Sequence, residues 1–341
     1  TFTVVKYCFN MCLKNNLFAF ASELKAFLWH DFFSKKISMS SLKHFLTFGY
    51  CNNNFTMFED FIKLKPGSIC IYDLKKRSHK FKEFWNISKL SYPNSKTKDF
   101  YEITEELSLI LKTSVKRQMI SDVRVANLLS GGLDSSIVTC LSAQTSSRLN
   151  TFTIVFPNQN EFDESKYAKI ISEYYSTFHT EIPIQEIHKQ DLFCILKQFD
   201  EPIADSSCIP SAIVSKVIGK NFKVALGGDG ADELFGGYMT NNREYFLNRF
   251  FSHFRNKIPH FIIKNIFKTL PRKIFFEHIS SYLLNEMPKY GRQFSDKEIE
   301  ILIGCNNKSK CTDYIFNQNL QKKYPINTLG RKEFSSYLRE D

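Results

Sequence analysis

Seven consecutive residues, Ser130-Gly131-Gly132-Leu133-Asp134-Ser135-Ser136, combine the residue types that hold a phosphate group. An apolar run, Val125-Ala126-Asn127-Leu128-Leu129, leads into them, so the string reads as strand, Gly-Gly turn and helix start. Glycines let the backbone approach anionic oxygens and adopt conformations that other residues resist. The N–H groups and positive dipole end of the following helix favour an anion. Ser130, Ser135 and Ser136 add hydroxyl donors. Asp134 would repel a phosphate unless a cation lies between them, which points to Mg²⁺. At an effective dielectric of about 20, unit charges ~4 Å apart interact by roughly 4 kcal/mol, so such an ion matters. The string lacks the GK[ST] lysine of a Walker loop, the GxGxxG of a dinucleotide site and the GxSxG of a nucleophile elbow.

Two further acidic strings follow. Asp200-Glu201-Pro202-Ile203-Ala204-Asp205-Ser206-Ser207 is one. Leu226-Gly227-Gly228-Asp229-Gly230-Ala231-Asp232-Glu233-Leu234-Phe235-Gly236-Gly237-Tyr238 is the other. Asp229, Asp232 and Glu233 stand close together, an arrangement that is costly unless the carboxylates are solvated or bind a cation.

The elements that must carry these strings alternate. An amphipathic helix over 100–119 shows Ile103, Leu107, Ile110, Leu111 and Val115 at helical spacing. Strands are predicted over 123–129, 151–156, 179–184 and 223–226, and helices over 134–142, 165–175 and 209–218. Such alternation implies α/β architecture, a parallel sheet covered on both faces. Residues 239–341 read as mostly helical. Upstream, 17–20 is a strand candidate, Ser40–Leu46 a capped helix start, and 68–74 and 81–85 two strands flanking a charged tip, Lys75–Lys80.

The three motifs resemble a known family. SGGLDSS is similar to the PP-loop of ATP pyrophosphatases. The 200–207 and 226–238 strings, with Phe162-Asp163-Glu164-Ser165, Tyr167-Ala168 and His179, look like those of class II glutamine-dependent asparagine synthetases. The likeness runs from about residue 6 to 341. It implies a PP-loop, adenine-nucleotide α-hydrolase-like domain with a helical C-terminal part, preceded by the tail of an α+β class II (Ntn-type) glutamine amidotransferase domain. The implied domain plan is 1–88 for that tail, 89–99 for a linker and 100–341 for an incomplete synthetase domain.

The resemblance also implies a reaction. An aspartate side-chain carboxylate attacks the α-phosphorus of ATP, giving β-aspartyl-AMP and Mg-pyrophosphate, and ammonia, derived from glutamine or free, then displaces AMP to give asparagine. By the same resemblance Asp134 and Asp232 match Mg²⁺-binding aspartates, and Leu128, Ile154, Gly227 and Gly228 match positions around adenine and ribose. Asp229 matches an acidic residue of the ammonia step, as base or electrostatic stabiliser, and Glu201 lies with Asp205 in the substrate-proximal loop. Gly227 stands where the family usually has Ser, and Ala231 where it has Gly or Ser. Phe20-Ala21-Ser22-Glu23-Leu24-Lys25-Ala26 and Lys65-Pro66-Gly67 match internal segments of the glutaminase half, and Lys6 falls where the family has a lysine. The N-terminal Cys nucleophile is therefore expected upstream of Thr1, and a lysine and an RVPFLD-like motif downstream of Asp341. A related ligase acting on another carboxylate, a ring-closing enzyme, an inactive ATP-binding remnant and an RNA-modifying PP-loop protein stand as alternatives.

Composition excludes little. Hydrophobic residues make up 43% and charged residues 24% of 341, which are globular values. The 34 Phe residues read as compositional bias and core. A formal charge of +11 could suit nucleic acid, but no basic cluster denser than the 75–80 tip occurs, so neither a nucleic-acid nor a membrane partner is expected. Nine cysteines without a CxxC pair read as buried thiols of a cytoplasmic protein, with no zinc spacing. No uncharged apolar run of ~18 residues is present. A homodimer is compatible with the resemblance.

Overall fold

The Phe-rich amino-terminal stretch folds into a small antiparallel sheet. Asn10–Lys14 (β1) pairs with Leu17–Ala21 (β2) on one side and Phe61–Lys63 (β3) on the other. The computed structural model describes residues 10–14, 17–51, 54–86, 99–157, 163–184, 187–238, 247, 250–251, 258–269, 279, 283 and 293–304. These fall into two compact units. One takes the described residues from 99 to 198 and from 205 to 231, and the other takes those from 10 to 86, 199–204 and those from 232 onward. Of the expected linker 89–99, only Asp99 lies among the described residues; Lys6, Phe162, Cys8, Cys305, Cys311 and the C-terminal segment lie outside them.

In the unit that contains β1, Met11, Cys12, Leu24, Phe27 and Phe61 are buried. The rings of Phe27 and Phe33 lie 4.9 and 5.4 Å from that of Phe61, the spacing of packed aromatic pairs. Lys25–Leu28 (α1) and Met39–Phe48 (α2) complete the local packing. Ser38 accepts from the Ser41 amide and so caps α2, two residues ahead of the start expected at Ser40. Gly49, left-handed at φ +88°, closes the other end by donating to the Phe45 carbonyl. Ser68–Asp73 (β4) and Ser78–Glu83 (β5) form the expected hairpin with a tighter tip. Asp73 accepts from the amides of Lys75 and Lys76, both at 2.9 Å, and the turn is complete by Arg77. The second strand therefore begins at Ser78, and His79 and Lys80 pair across to Tyr72 and Ile71.

The same unit holds residues 199–204 by their carboxylates. Asp200 accepts from the amides of Leu24 and Lys25 at 2.5 and 3.3 Å, at the start of α1. Glu201 accepts from the Met57 amide at 2.5 Å through one oxygen, and its other oxygen is 2.5 Å from Lys63 Nζ. The two side chains of that ion pair are only 11% and 17% exposed. The Ala204 amide donates to the Gly49 carbonyl. Further along the chain are the helices His260–Thr269 and Asp296–Ile303, the latter closed by a capping box between Ser295 and Glu298.

The other unit is the α/β one. Phe100–Gln118 (α3) leads into Val125–Leu128 (β6), Leu133–Ala143 (α4), Asn150–Val155 (β7), Ser165–Tyr174 (α5), Phe178–Pro183 (β8), Lys189–Leu196 (α6), Cys208–Ile218 (α7) and Val224–Leu226 (β9). The strands form one parallel sheet in the order β8-β7-β6-β9. Ala126, Phe152, Ile182, Val214, Ile218 and Phe222 make its core, which joins three strands to α7 and the residue that ends its loop. Every strand and helix expected from the alternation is present, with ends shifted by one or two residues. The face expected on α3 is the exception: Val115 is buried, but Ile103 and Ile110 are half exposed. Cys194 also departs from expectation, because α6 buries none of its residues and the thiol is exposed. No disulfide joins the described cysteines. Among the described residues no helix is long and apolar enough to cross a membrane.

The Lys63–Glu201 pair generates a test. Replacing Glu201 by Ala leaves a mostly covered lysine without this partner, and breaking a buried pair costs about 3–5 kcal/mol, an upper bound for a pair at this exposure. Urea denaturation should show that loss for E201A and most of it recovered in the apolar double replacement K63M/E201L. Wild-type stability in E201A would show that the pair holds nothing.

Candidate functional site

Strand order places the two glycine loops side by side. The chain runs from β6 outward through β7 to β8, then returns to β9 on the opposite flank of β6. Loops leaving the carboxyl ends of β6 and β9 therefore diverge at the point where the order reverses. In open parallel sheets that crevice is where ligands bind.

The loop after β6 satisfies itself. Ser135 Oγ donates to the Gly132 carbonyl at 3.2 Å and accepts from the Ser130 amide at 3.2 Å. Its one proton being used there, the 2.9 Å contact between the two hydroxyls makes Ser130 the donor to Ser135. Ser130 Oγ in turn accepts from the Gly132 amide at 3.2 Å. Ser135 is buried, so its hydroxyl shapes the loop and is spent there; the expected phosphate-donor role does not suit it. Ser136 continues α4 by donating its amide to the Gly132 carbonyl. What faces outward is the backbone: Gly132 caps α4 and brings no side chain over the first turn.

Gly131 is a required glycine twice over. Its φ is +94°, and a Cβ there would lie 2.7 Å from the Ala168 amide nitrogen and 2.9 Å from the Glu164 carbonyl. The Asp163–Ala168 motif is thus packed against the loop at the start of α5, where Asp163 accepts from the Ser165 amide at 3.1 Å. Ala168 is fully buried by that contact.

The loop after β9 meets the same helix. A Cβ on Gly228 would fall 2.7 Å from the Ser135 amide nitrogen and 2.9 Å from the Asp134 carbonyl carbon. Gly228 therefore lies directly on the first turn of α4, beside the half-buried Asp134. Asp229 is exposed, with its carboxylate turned back toward Gly227. Leu128 and Ile154, both half-buried, stand at the ends of β6 and β7. Ser130, Gly131, Gly132, Asp134, Ser135, Ser136, Gly227, Gly228 and Asp229 are thus brought together at one end of one sheet.

Several supporting threonines gave no signal in the sequence, and they hold residues that did. Thr153 Oγ1 donates to the Leu129 carbonyl, and the Leu129 amide donates to Phe152, so β7 holds the last residue before the loop from two sides. Thr151 Oγ1 bonds Thr177 Oγ1 at 2.8 Å and His179 Nδ1 at 2.9 Å. Burial lowers the His179 pKa, with Glu181 opposing, which favours a neutral ring tying β7 to β8. Asp205 accepts from the Ser207 amide at 2.8 Å ahead of α7.

The remaining acidic residues belong to the other unit. Asp232, in Ala231–Phe235 (α8), accepts from the amides of Gly236 and Gly237 through its carbonyl. Glu233 is buried and accepts from Tyr238 Oη at 2.6 Å. Glu201 has both carboxylate oxygens engaged, by the Met57 amide and Lys63. Among the described residues, no group of three or more His, Cys, Asp or Glu side chains gathers to hold a metal ion. A single carboxylate beside an anion cradle does fit Mg²⁺, which is held by one or two carboxylates together with substrate phosphates.

Fold and loops together define an α/β protein of the PP-loop type. Comparison with known proteins gives the family. Residues 106–333 match the family model described as asparagine synthase, and residues 5–85 match that of a glutamine amidotransferase domain. The chain belongs to the asparagine synthase family. It is 34% identical over 277 residues to a protein of Methanocaldococcus jannaschii provisionally named glutamine-hydrolyzing asparagine synthetase 2, covering 80% of this chain and 52% of that one. With the glutamine-hydrolyzing asparagine synthetase 1 of Bacillus subtilis it shares 30% over 227 residues, 66% of this chain and 34% of the relative. The chain thus spans about half or less of the length of these relatives.

Gly228→Ala tests the loop contact. The added methyl meets backbone, not a movable side-chain tip, so the loop or α4 must shift. Calorimetric titration should show nucleotide affinity falling by about tenfold or more, for an overpacking cost of roughly 1–3 kcal/mol. Unaltered affinity would place the ligand elsewhere.

Proposed function

We propose that the protein makes asparagine from aspartate and ATP, taking nitrogen from glutamine or ammonia. The reading is carried by one observation: two glycine loops converge on the start of α4 at the sheet's switch point. ATP would place its phosphates against the backbone amides of the Ser130–Ser136 loop and the start of α4. Leu128, Ile154, Gly227 and Gly228 would border its adenosine.

The aspartate carboxylate then attacks the α-phosphorus, and the bond to pyrophosphate breaks. Ammonia adds to the resulting acyl carbon, and AMP leaves with the bonding electron pair. Holding both reactants in line is the larger share of such catalysis, together with fixed dipoles at the leaving group. Mg²⁺ on Asp134 would offset charge on the departing pyrophosphate, and Asp232 is assigned a cation-binding role by family likeness alone. Asp229, exposed beside the crevice, is the group proposed to serve the ammonia step. Glu201 is assigned a structural place, because both oxygens are already engaged. The region matching the glutamine amidotransferase model supports glutamine as nitrogen source. Work on ATP and aspartate fits a cytoplasmic enzyme, and a homodimer is compatible with it.

Exchange of labelled pyrophosphate into ATP, measured with the intact protein, tests the reading. It should require aspartate and Mg²⁺. Asp134→Asn should lower it by about 10²-fold or more, and Asp232→Asn should do the same. Exchange that ignores aspartate would sink the substrate assignment, and full exchange in either variant would sink the metal assignment.

A further inference from the structure

We infer that Gly227 is a positioning residue for Asp229, an inference that rests on the proposed ammonia step. The loop leaving β9 is fixed on both sides of Asp229. Gly228 lies against the backbone of Asp134 and Ser135 with no room for a Cβ. Gly230 is buried and left-handed, at φ +88°. Little freedom is left in the backbone at 229, so its side-chain torsions decide where the carboxylate lies.

Those torsions send it back over Gly227. A Cβ built on Gly227 would be 2.8 Å from Asp229 Oδ2, 3.7 Å from its carboxyl carbon and 3.7 Å from Leu128 Cδ1. The carboxylate thus takes the space that a side chain at 227 would fill, beside the end of β6. Asp229 stays exposed and open to a reactant. Gly227 has no positive φ, so its backbone accepts alanine. The atom an alanine methyl would meet is the movable end of a side chain, not the main chain. Substitution at 227 should therefore move the carboxylate and leave the loop intact, the reverse of substitution at 228.

The test uses Gly227→Ala, Asp229→Ala and the double variant in the intact protein. Two rates are read: aspartate-dependent pyrophosphate exchange, and asparagine release at saturating ammonium. At saturating ATP, G227A should slow asparagine release by about 10²-fold more than it slows exchange, as expected for a reacting group displaced by ~1 Å. The double variant should be no slower than D229A, because both changes remove one function. Additive losses, or equal losses in both rates together with a lowered Tm, would overturn the assignment. Crystal structures of wild type and G227A supply a readout independent of activity. The Asp229 carboxylate should be displaced in G227A, and an unmoved carboxylate would overturn the inference. Absent aspartate-dependent exchange in wild type would instead refute the proposed function, and the two crystal structures would still decide what Gly227 does.

Discussion

Gly228 resting on the first turn of α4 is the contact on which the site depends. It brings the loop from β9 against the loop from β6 with no side chain between them. Strand order alone would put the two carboxyl ends next to each other, because β9 pairs directly with β6. Adjacency of strands fixes the spacing of backbones within the sheet, near 4.8 Å, but not the course of loops beyond it. The missing Cβ at 228 closes that remaining distance. Gly131 does the same on the other side, where the start of α5 presses on the β6 loop. Three segments far apart in sequence therefore share one surface, and each joint is made by removing a side chain.

The hydrogen bonds of the first loop then limit its chemistry. Ser130 and Ser135 use their hydroxyls on each other and on Gly132. Such a network holds the loop's shape before any ligand arrives, which lowers the ordering cost of binding. What the loop can present to an anion is mainly backbone N–H and the dipole of an 11-residue helix. A carboxylate inside that positive field, Asp134, weakens it unless a cation is shared. The acid in the motif and the anion in the crevice are reconciled by a divalent ion carried in with the nucleotide.

The α/β half of the fold was legible because short runs rich in apolar and β-branched residues, such as Val125–Leu128 and Asn150–Val155, alternate with stretches of helical periodicity. SGGLDSS was legible because a Gly-Gly turn between such a strand and a helix has few other uses. The supporting residues were not. Thr153 and Thr151 sit in β7 and Thr177 directly ahead of β8, where threonine is common for its β-branched shape alone. Only the structure shows hydroxyls joining Leu129 and His179 across strands. The α3 periodicity was real, yet a helical stripe says which residues share a face and not whether anything covers it. The hairpin tip is tighter than its run of charge implies, because Asp73 closes the turn early by taking two amides.

Carboxylates show most clearly what sequence alone withholds. Within the 200–207 string, Asp200, Glu201 and Asp205 are chemically alike and each could have faced a substrate. Burial and partners separate them. Glu201 faces a lysine in a nearly dry setting, Asp200 takes two backbone amides, and Asp205 closes a local turn. Each has its carboxylate engaged by the fold, and Glu201, the least exposed of the ion-paired ones, needs its partners most to stay charged. Asp229 differs in kind. It is exposed, its loop is held rigid by glycine packing, and its carboxylate lies over a glycine beside the end of β6. A reacting acid needs a fixed frame and an open face together, and in the α/β unit the glycine loop gives Asp229 both.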